Sequence, residues 1–194
     1  MAVAGTRVVA LLGALAVALA GCAAGKDAVD QGAGGQNGYV PGNGTGRLIV
    51  AGDRQQAPAF AGTYLGGGGF ASSSLAGQVV VLNFWGSWCP PCRLETPEFD
   101  KVYRDVRGQG VQFLGVAVKD TAQAAQAFLA NKNIGYRSLY DPAGRVALAF
   151  RAIPPSAIPS TVLIDKHGRV AEVHLGTMLR GDLQPVLDKL VAES

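Results

Sequence analysis

The chain has 194 residues, 48% of them hydrophobic, with a formal net charge of +3 and three cysteines. That length allows one domain with a sizeable core and some chain to spare. The charge is modest and no basic cluster carries interleaved aromatics, so nucleic acid is excluded as a partner.

Residues 1–21 read as an export signal. Arg7 supplies a positive charge ahead of an unbroken small and apolar run from Val8 to Ala20. The run is short for a bilayer-spanning helix and the right length for a signal core. It ends Leu19-Ala20-Gly21-Cys22, which resembles the lipobox of bacterial lipoproteins, where cleavage precedes a cysteine that then carries lipid. Lipidation of Cys22 is therefore expected, with an uncleaved anchor or an ordinary cleavage site nearby as the alternatives. Lipidation would also leave the mature chain a single cysteine pair. Residues 22–46 are rich in Gly, with Gln, Asn and Asp, and hold too little large apolar surface to fold. They are expected to be a flexible tether, and the folded domain is expected over 47–194.

Arg47 to Ala51 is a short strand candidate, and Gln55 to Gly69 looks like an irregular hairpin. Ser72 to Gly77 reads as a single capped turn. Val79-Val80-Val81-Leu82-Asn83-Phe84-Trp85 reads as a buried strand. A helix is expected from Cys92 to Arg107, kinked by Pro97. Val111 to Val118 is a second buried strand. Thr121 to Asn131 reads as an Ala-rich helix begun at Asp120 or Thr121, whose apolar positions Ala124, Ala127, Phe128 and Ala130 fit an inward face only loosely. Ser138 to Asp141 adds a strand, and Arg145 to Phe150 a short helix. Thr161 to Asp165 and Val170 to Leu175 form a hairpin around Lys166–Arg169. A last helix, from Gly181 or Asp182 to Ala192, carries Leu183, Val186, Leu187, Leu190 and Val191 on its apolar face. This order predicts an α/β fold, a mixed sheet with helices on both faces.

The chemistry concentrates in Trp88-Cys89-Pro90-Pro91-Cys92. Two cysteines separated by two residues can close into a disulfide if a helix begins at the first. Here they sit at a strand-to-helix turn, where unpaired N–H groups and the helix dipole favour a thiolate at Cys89. Cys89 is thus the candidate nucleophile and Cys92 the resolving thiol. Half of a zinc site is a competing reading, but only Cys22, His167 and His174 could complete it, and no second Cys-x-x-Cys exists. No metal site is therefore expected. A purely structural disulfide is the other alternative; so short a loop gains little from cross-linking.

From about Pro58 to Val191 the chain resembles the thioredoxin superfamily, and within it the exported TlpA/ResA-like thiol-disulfide oxidoreductases. The resemblance rests on Val81 to Arg93, followed by Glu95, Pro97 and Phe99, and on Ile158-Pro159-Ser160-Thr161-Val162-Leu163-Ile164-Asp165 followed by Gly168 and Val170. It implies a thioredoxin-like fold with an N-terminal hairpin extension and a central insert from Thr121 to about Phe150. It also implies that Pro159 is a cis-proline facing the disulfide, exposing backbone groups of Ile158 to an incoming peptide. Asn83 stands where plain thioredoxins keep an acidic residue. Glu95 matches the acidic residue of this branch and would tune thiol pKa values or take the proton of Cys92, an exposed helix-surface glutamate being the alternative. Trp88, Pro90 and Pro91 would help form the substrate surface, while Trp85 belongs to the core.

The implied function is extracytoplasmic disulfide exchange with exported cysteine-containing proteins, in the reducing direction, apocytochrome c being one substrate class. No cofactor is implied beyond the Cys89–Cys92 disulfide. A membrane electron-transfer thiol partner would restore the dithiol, and the membrane would be met only through the lipid anchor. The alternative direction is that of a DsbE-like oxidant. A Sco-like copper chaperone using His174 would want three residues between its cysteines. A peroxiredoxin would want a threonine and a proline ahead of a single reactive cysteine, where Leu82 and Gly86 stand.

Overall fold

The computed structural model describes residues 46–193 apart from 152 and 155. The expected signal over 1–21, Cys22 and residues 22–45 of the expected tether lie outside the described residues. Among the described residues seven strands form one sheet: β1 (Ala61–Tyr64), β2 (Gly69–Ala71), β3 (Val79–Trp85), β4 (Val111–Val118), β5 (Ser138–Asp141), β6 (Ser160–Ile164) and β7 (Val170–Leu175). The helices are α1 (Pro90–Val106), α2 (Ala122–Asn131), α3 (Arg145–Ala149) and α4 (Arg180–Ala192).

The strands lie in the order β2-β1-β5-β4-β3-β6-β7. β3, β4 and β5 run parallel. The hairpin β6–β7 pairs antiparallel on one side and β1–β2 on the other. Every residue of β3 is buried, as expected for a central strand covered on both faces. Its alternate residues supply two cores. Val80, Leu82 and Phe84 join Leu114, Val116 and Phe150 on one face. Val79 and Val81 meet Phe99 and Val102 of α1 and Leu183, Leu187 and Leu190 of α4 on the other. Asn83 and Trp85 continue that second face toward the C-terminal end of β3, where α1 begins.

Three expectations change. Arg47 to Ala51 forms no strand. Ile49 donates one hydrogen bond to the Ala171 carbonyl of β7 at 2.7 Å, and the chain then turns at Ala51–Asp53. The buried Arg54 side chain holds that turn by bonding the Ile49 carbonyl (2.9 Å) and Asp165 (3.2 Å). The first helix begins at Pro90 rather than Cys92, because proline's missing N–H costs nothing in a first turn. It continues through Pro97 to Val106. On α2, Ala125 and Phe128 are the buried residues, while Ala124, Ala127 and Ala130 face solvent. The large ring of Phe128 sets the phase by packing against Trp85, with ring centroids 5.4 Å apart.

Thr121 caps α2 by accepting a hydrogen bond from the Ala124 N–H at 3.2 Å. Thr121→Ala is expected to cost about 1 kcal/mol in urea denaturation. An unchanged midpoint would mean that the cap contributes nothing.

Candidate functional site

The site forms where β3 ends and α1 starts. Cys89 is the N-cap of α1, and the Cys92 N–H donates to Cys89 Sγ at 3.2 Å. The two sulfurs are joined in a disulfide. A hydrogen-bond donor and the positive helix end therefore both point at the sulfur that would carry thiolate charge after reduction. Both cysteines are buried in this oxidised state, packed with Trp85, Ala117 and Phe128.

Across from them the Ile158-Pro159 peptide bond is cis, as the resemblance implied. The Ile158 carbonyl oxygen lies 3.8 Å from Cys89 Sγ. The fold thus gathers Cys89, Cys92, Ile158 and Pro159 at one point, with Pro90 and Pro91 in the adjoining first turn of α1. Trp88 is 51% exposed beside them and donates from its indole N–H to the Val118 carbonyl at 3.3 Å. Its ring folds back over Gly86 so closely that a Cβ there would fall 2.5 Å from Nε1. Glycine is needed at that position because any side chain would push the indole away. Trp85 is fully buried, as expected, and bonds Ser138 Oγ at 3.3 Å.

Glu95 is no surface residue. It is 0% exposed on the inward side of α1, one turn beyond Cys92. Its carboxylate accepts from Asn83 Nδ2 at 2.8 Å and from the Met178 N–H at 2.7 Å. Burial raises its pKa to about 7 despite those two bonds, which favour the charged form. Asn83 Nδ2 also lies 3.3 Å from Thr161 Oγ1, while Asn83 Oδ1 is buried without a partner. This arrangement can hold or release a proton near neutral pH next to the resolving cysteine.

His174 is half-buried on β7, opposite Thr161, with Nε2 3.2 Å from the Thr177 carbonyl. His167 lies in the β6–β7 turn. Among the described residues no group of three or more His, Cys, Asp or Glu side chains could hold a metal ion. No described helix is long and apolar enough to cross a membrane.

Two participants escaped the sequence reading. Met178 contributes only its backbone N–H, which no side-chain pattern reveals. Asp120 read as no more than a helix start, yet its carboxylate bonds the loop ahead of Cys89. The one available signal was its place at the entrance to the insert.

The sequence profile of the AhpC/TSA family matches residues 54–173. The thiol-disulfide oxidoreductase ResA of Geobacillus kaustophilus (strain HTA426) is 34% identical over 134 residues, which cover 69% of this chain and 75% of that protein. Among solved structures, a secreted thiol-disulfide isomerase from Corynebacterium glutamicum superposes with a TM-score of 0.74 at 33% identity, covering 79% of this chain and 95% of that one. A DsbF homologue from Corynebacterium diphtheriae superposes with a TM-score of 0.72 at 32% identity, covering 77% and 96%.

Proposed function

Since the chain belongs to the AhpC/TSA family, as a thioredoxin-fold thiol-disulfide oxidoreductase similar to ResA, we propose that it reduces disulfides in exported proteins outside the cytoplasm. The observation that carries this reading is the Cys89–Cys92 disulfide at the N-terminus of α1, with the Cys92 N–H directed at Cys89 Sγ.

In the reduced protein the Cys89 thiolate attacks one sulfur of a substrate disulfide. The substrate S–S bond breaks, a mixed disulfide forms, and the departing thiolate takes a proton from solvent. Cys92 then gives up its proton, for which Glu95 is the nearby acceptor, and its thiolate attacks Cys89 Sγ. The substrate leaves with its second thiol, and two electrons have passed from the dithiol to it. Trp88, Pro90, Pro91 and the Ile158-Pro159 backbone flank the approach to Cys89 and serve as its docking surface. The reaction needs no metal and no cofactor besides the disulfide itself. A membrane thiol donor returns the two electrons, and lipidated Cys22 holds the domain at the membrane. Apocytochrome c, whose haem-attachment cysteines must be reduced before ligation, is the substrate class that fits.

The likeness to a thiol-disulfide oxidoreductase, to a secreted thiol-disulfide isomerase and to a DsbF homologue fits either direction of exchange. The equilibrium reduction potential of the Cys89–Cys92 pair in a glutathione or dithiothreitol series decides between them. The expected value is near that of thioredoxin, about −270 mV. A value near about −120 mV would overturn the reducing direction and make the protein a disulfide donor.

A further inference from the structure

The loop Gly86-Ser87-Trp88 carries Cys89, and its internal hydrogen bond does not hold it in place. The Cys89 N–H bonds the Gly86 carbonyl at 3.1 Å, which shapes the loop without fixing it to the rest of the fold. Arg93 Nη1 reaches the Ser87 carbonyl at 3.4 Å, and the strongest tie comes from Asp120, at the junction of β4 and α2. One carboxylate oxygen of Asp120 accepts from the Ser87 N–H at 2.6 Å. The other accepts from Ser87 Oγ at 3.0 Å and from the Thr121 N–H at 2.8 Å. Two of these three donors belong to Ser87, and bonds to an ionised acceptor are the strong kind. The Asp120 carbonyl is in turn held by the Tyr140 hydroxyl of β5 at 3.3 Å. Further contacts join the same two regions: Trp88 Nε1 to the Val118 carbonyl, Phe128 of α2 against Trp85, and the Arg93 guanidinium 5.7 Å from the Phe128 ring centroid.

We infer that Asp120 is a positioning residue for the exchange reaction: by bonding Ser87 through its backbone and side chain, it fixes the loop that presents Cys89. This ties the central insert to the chemistry. Attack on a disulfide needs the three sulfurs aligned, and a displacement of about 1 Å in such a reaction can cost on the order of a hundredfold in rate. Asp120 touches neither sulfur nor substrate, so its effect on the exchange passes through Ser87, the loop residue it bonds.

The inference rests on Cys89 being the attacking thiol, and the experiment keeps the two claims apart. The rate at which the reduced protein reduces insulin disulfides is followed against pH to its plateau. The wild type is compared with Asp120→Ala, Asp120→Asn, Ser87→Ala, the Asp120→Ala/Ser87→Ala double variant and Cys89→Ser, each checked for folding by circular dichroism. Asp120→Ala is expected to lower the plateau by about tenfold. Ser87→Ala, which keeps the backbone bond, should lose less, and the double variant should lose no more than Asp120→Ala. Asp120→Asn, retaining one acceptor oxygen, should fall between wild type and Asp120→Ala. A merely structural role would lower the melting temperature and leave the plateau where it is. A plateau within about twofold of wild type in folded Asp120→Ala overturns the inference, and Asp120→Asn takes its place if the alanine variant does not fold. Losses that simply multiply in the double variant overturn it as well. Full activity in Cys89→Ser would instead overturn Cys89 as the attacking thiol.

Discussion

Cys92→Ser is expected to trap the protein on its substrate, while Cys89→Ser is expected to form no adduct at all. In Cys92→Ser the Cys89 thiolate still forms the mixed disulfide, but no thiol remains one turn away to displace it. Turnover should fall by on the order of a thousandfold or more in either variant, since each removes a sulfur on which a bond must form. The roles follow from position. Cys89 sits at the N-cap, where the Cys92 N–H reaches its sulfur and the Ile158 carbonyl lies 3.8 Å from it. Cys92 lies inside the first turn with no exposure, so it meets only a sulfur already brought to it. Non-reducing electrophoresis after mixing with a disulfide-bearing protein reads both outcomes. A trapped adduct in Cys89→Ser and none in Cys92→Ser would reverse the assignment.

Glu95→Gln is expected to remove a pH dependence from both stability and exchange. An ordinary glutamate titrates near 4.5, and burial holds Glu95 at about 7 in the folded protein. Between those values the unfolded chain has released this proton while the folded protein keeps it. Folding stability from this group is therefore complete below pH 4.5 and is lost as pH rises through 7. The loss amounts to roughly 3 kcal/mol over that window. Glu172 is shifted in the same direction by burial, and Asp165 and Glu193 are held low by Arg169 and Arg54. The difference between wild type and variant, measured by urea denaturation of the oxidised protein across pH, therefore isolates Glu95. The glutamine Oε1 can keep the Met178 N–H, and its Nε2 can pair with Asn83 Oδ1, now without a partner, if that amide turns over. The variant should be nearly flat from pH 4.5 to 7 on the Glu95 contribution and more stable than wild type above it. Its exchange rate should also lose the inflection near neutrality. A difference curve that does not vary with pH would show that Glu95 titrates as a surface carboxyl does.

β3, β4, β7 and α4 are legible in the sequence. Continuous apolar runs mark β3 and β4, which are buried on both faces, and a leucine stripe marks the buried side of α4, because Val, Leu and Phe so placed have few ways to leave water. The redox pair was equally plain, since its spacing and strand-to-helix setting are local and the chemistry needs nothing distant to be recognised. Where the local signal was weak the reading slipped. An all-alanine stripe on α2 says little about which alanines turn inward, and the single large ring of Phe128 set the phase instead. Arg47 to Ala51 looked like a strand until the buried Arg54, bound to Asp165, turned the chain.

The surroundings of the cysteines come from segments far apart in sequence. On α1, nothing local to Glu95 separates a functional glutamate from a solvent-facing one; the family resemblance alone singled it out. Its burial between α1, β3 and the segment before α4 raises its pKa, while the bonds from Asn83, 12 residues away, and from the Met178 N–H, 83 residues away, pull the other way. Asp120 reaches Ser87 across 33 residues. A charge acquires its proton affinity from desolvation and from the donors aimed at it, and both are set by segments that meet only when the sheet has formed.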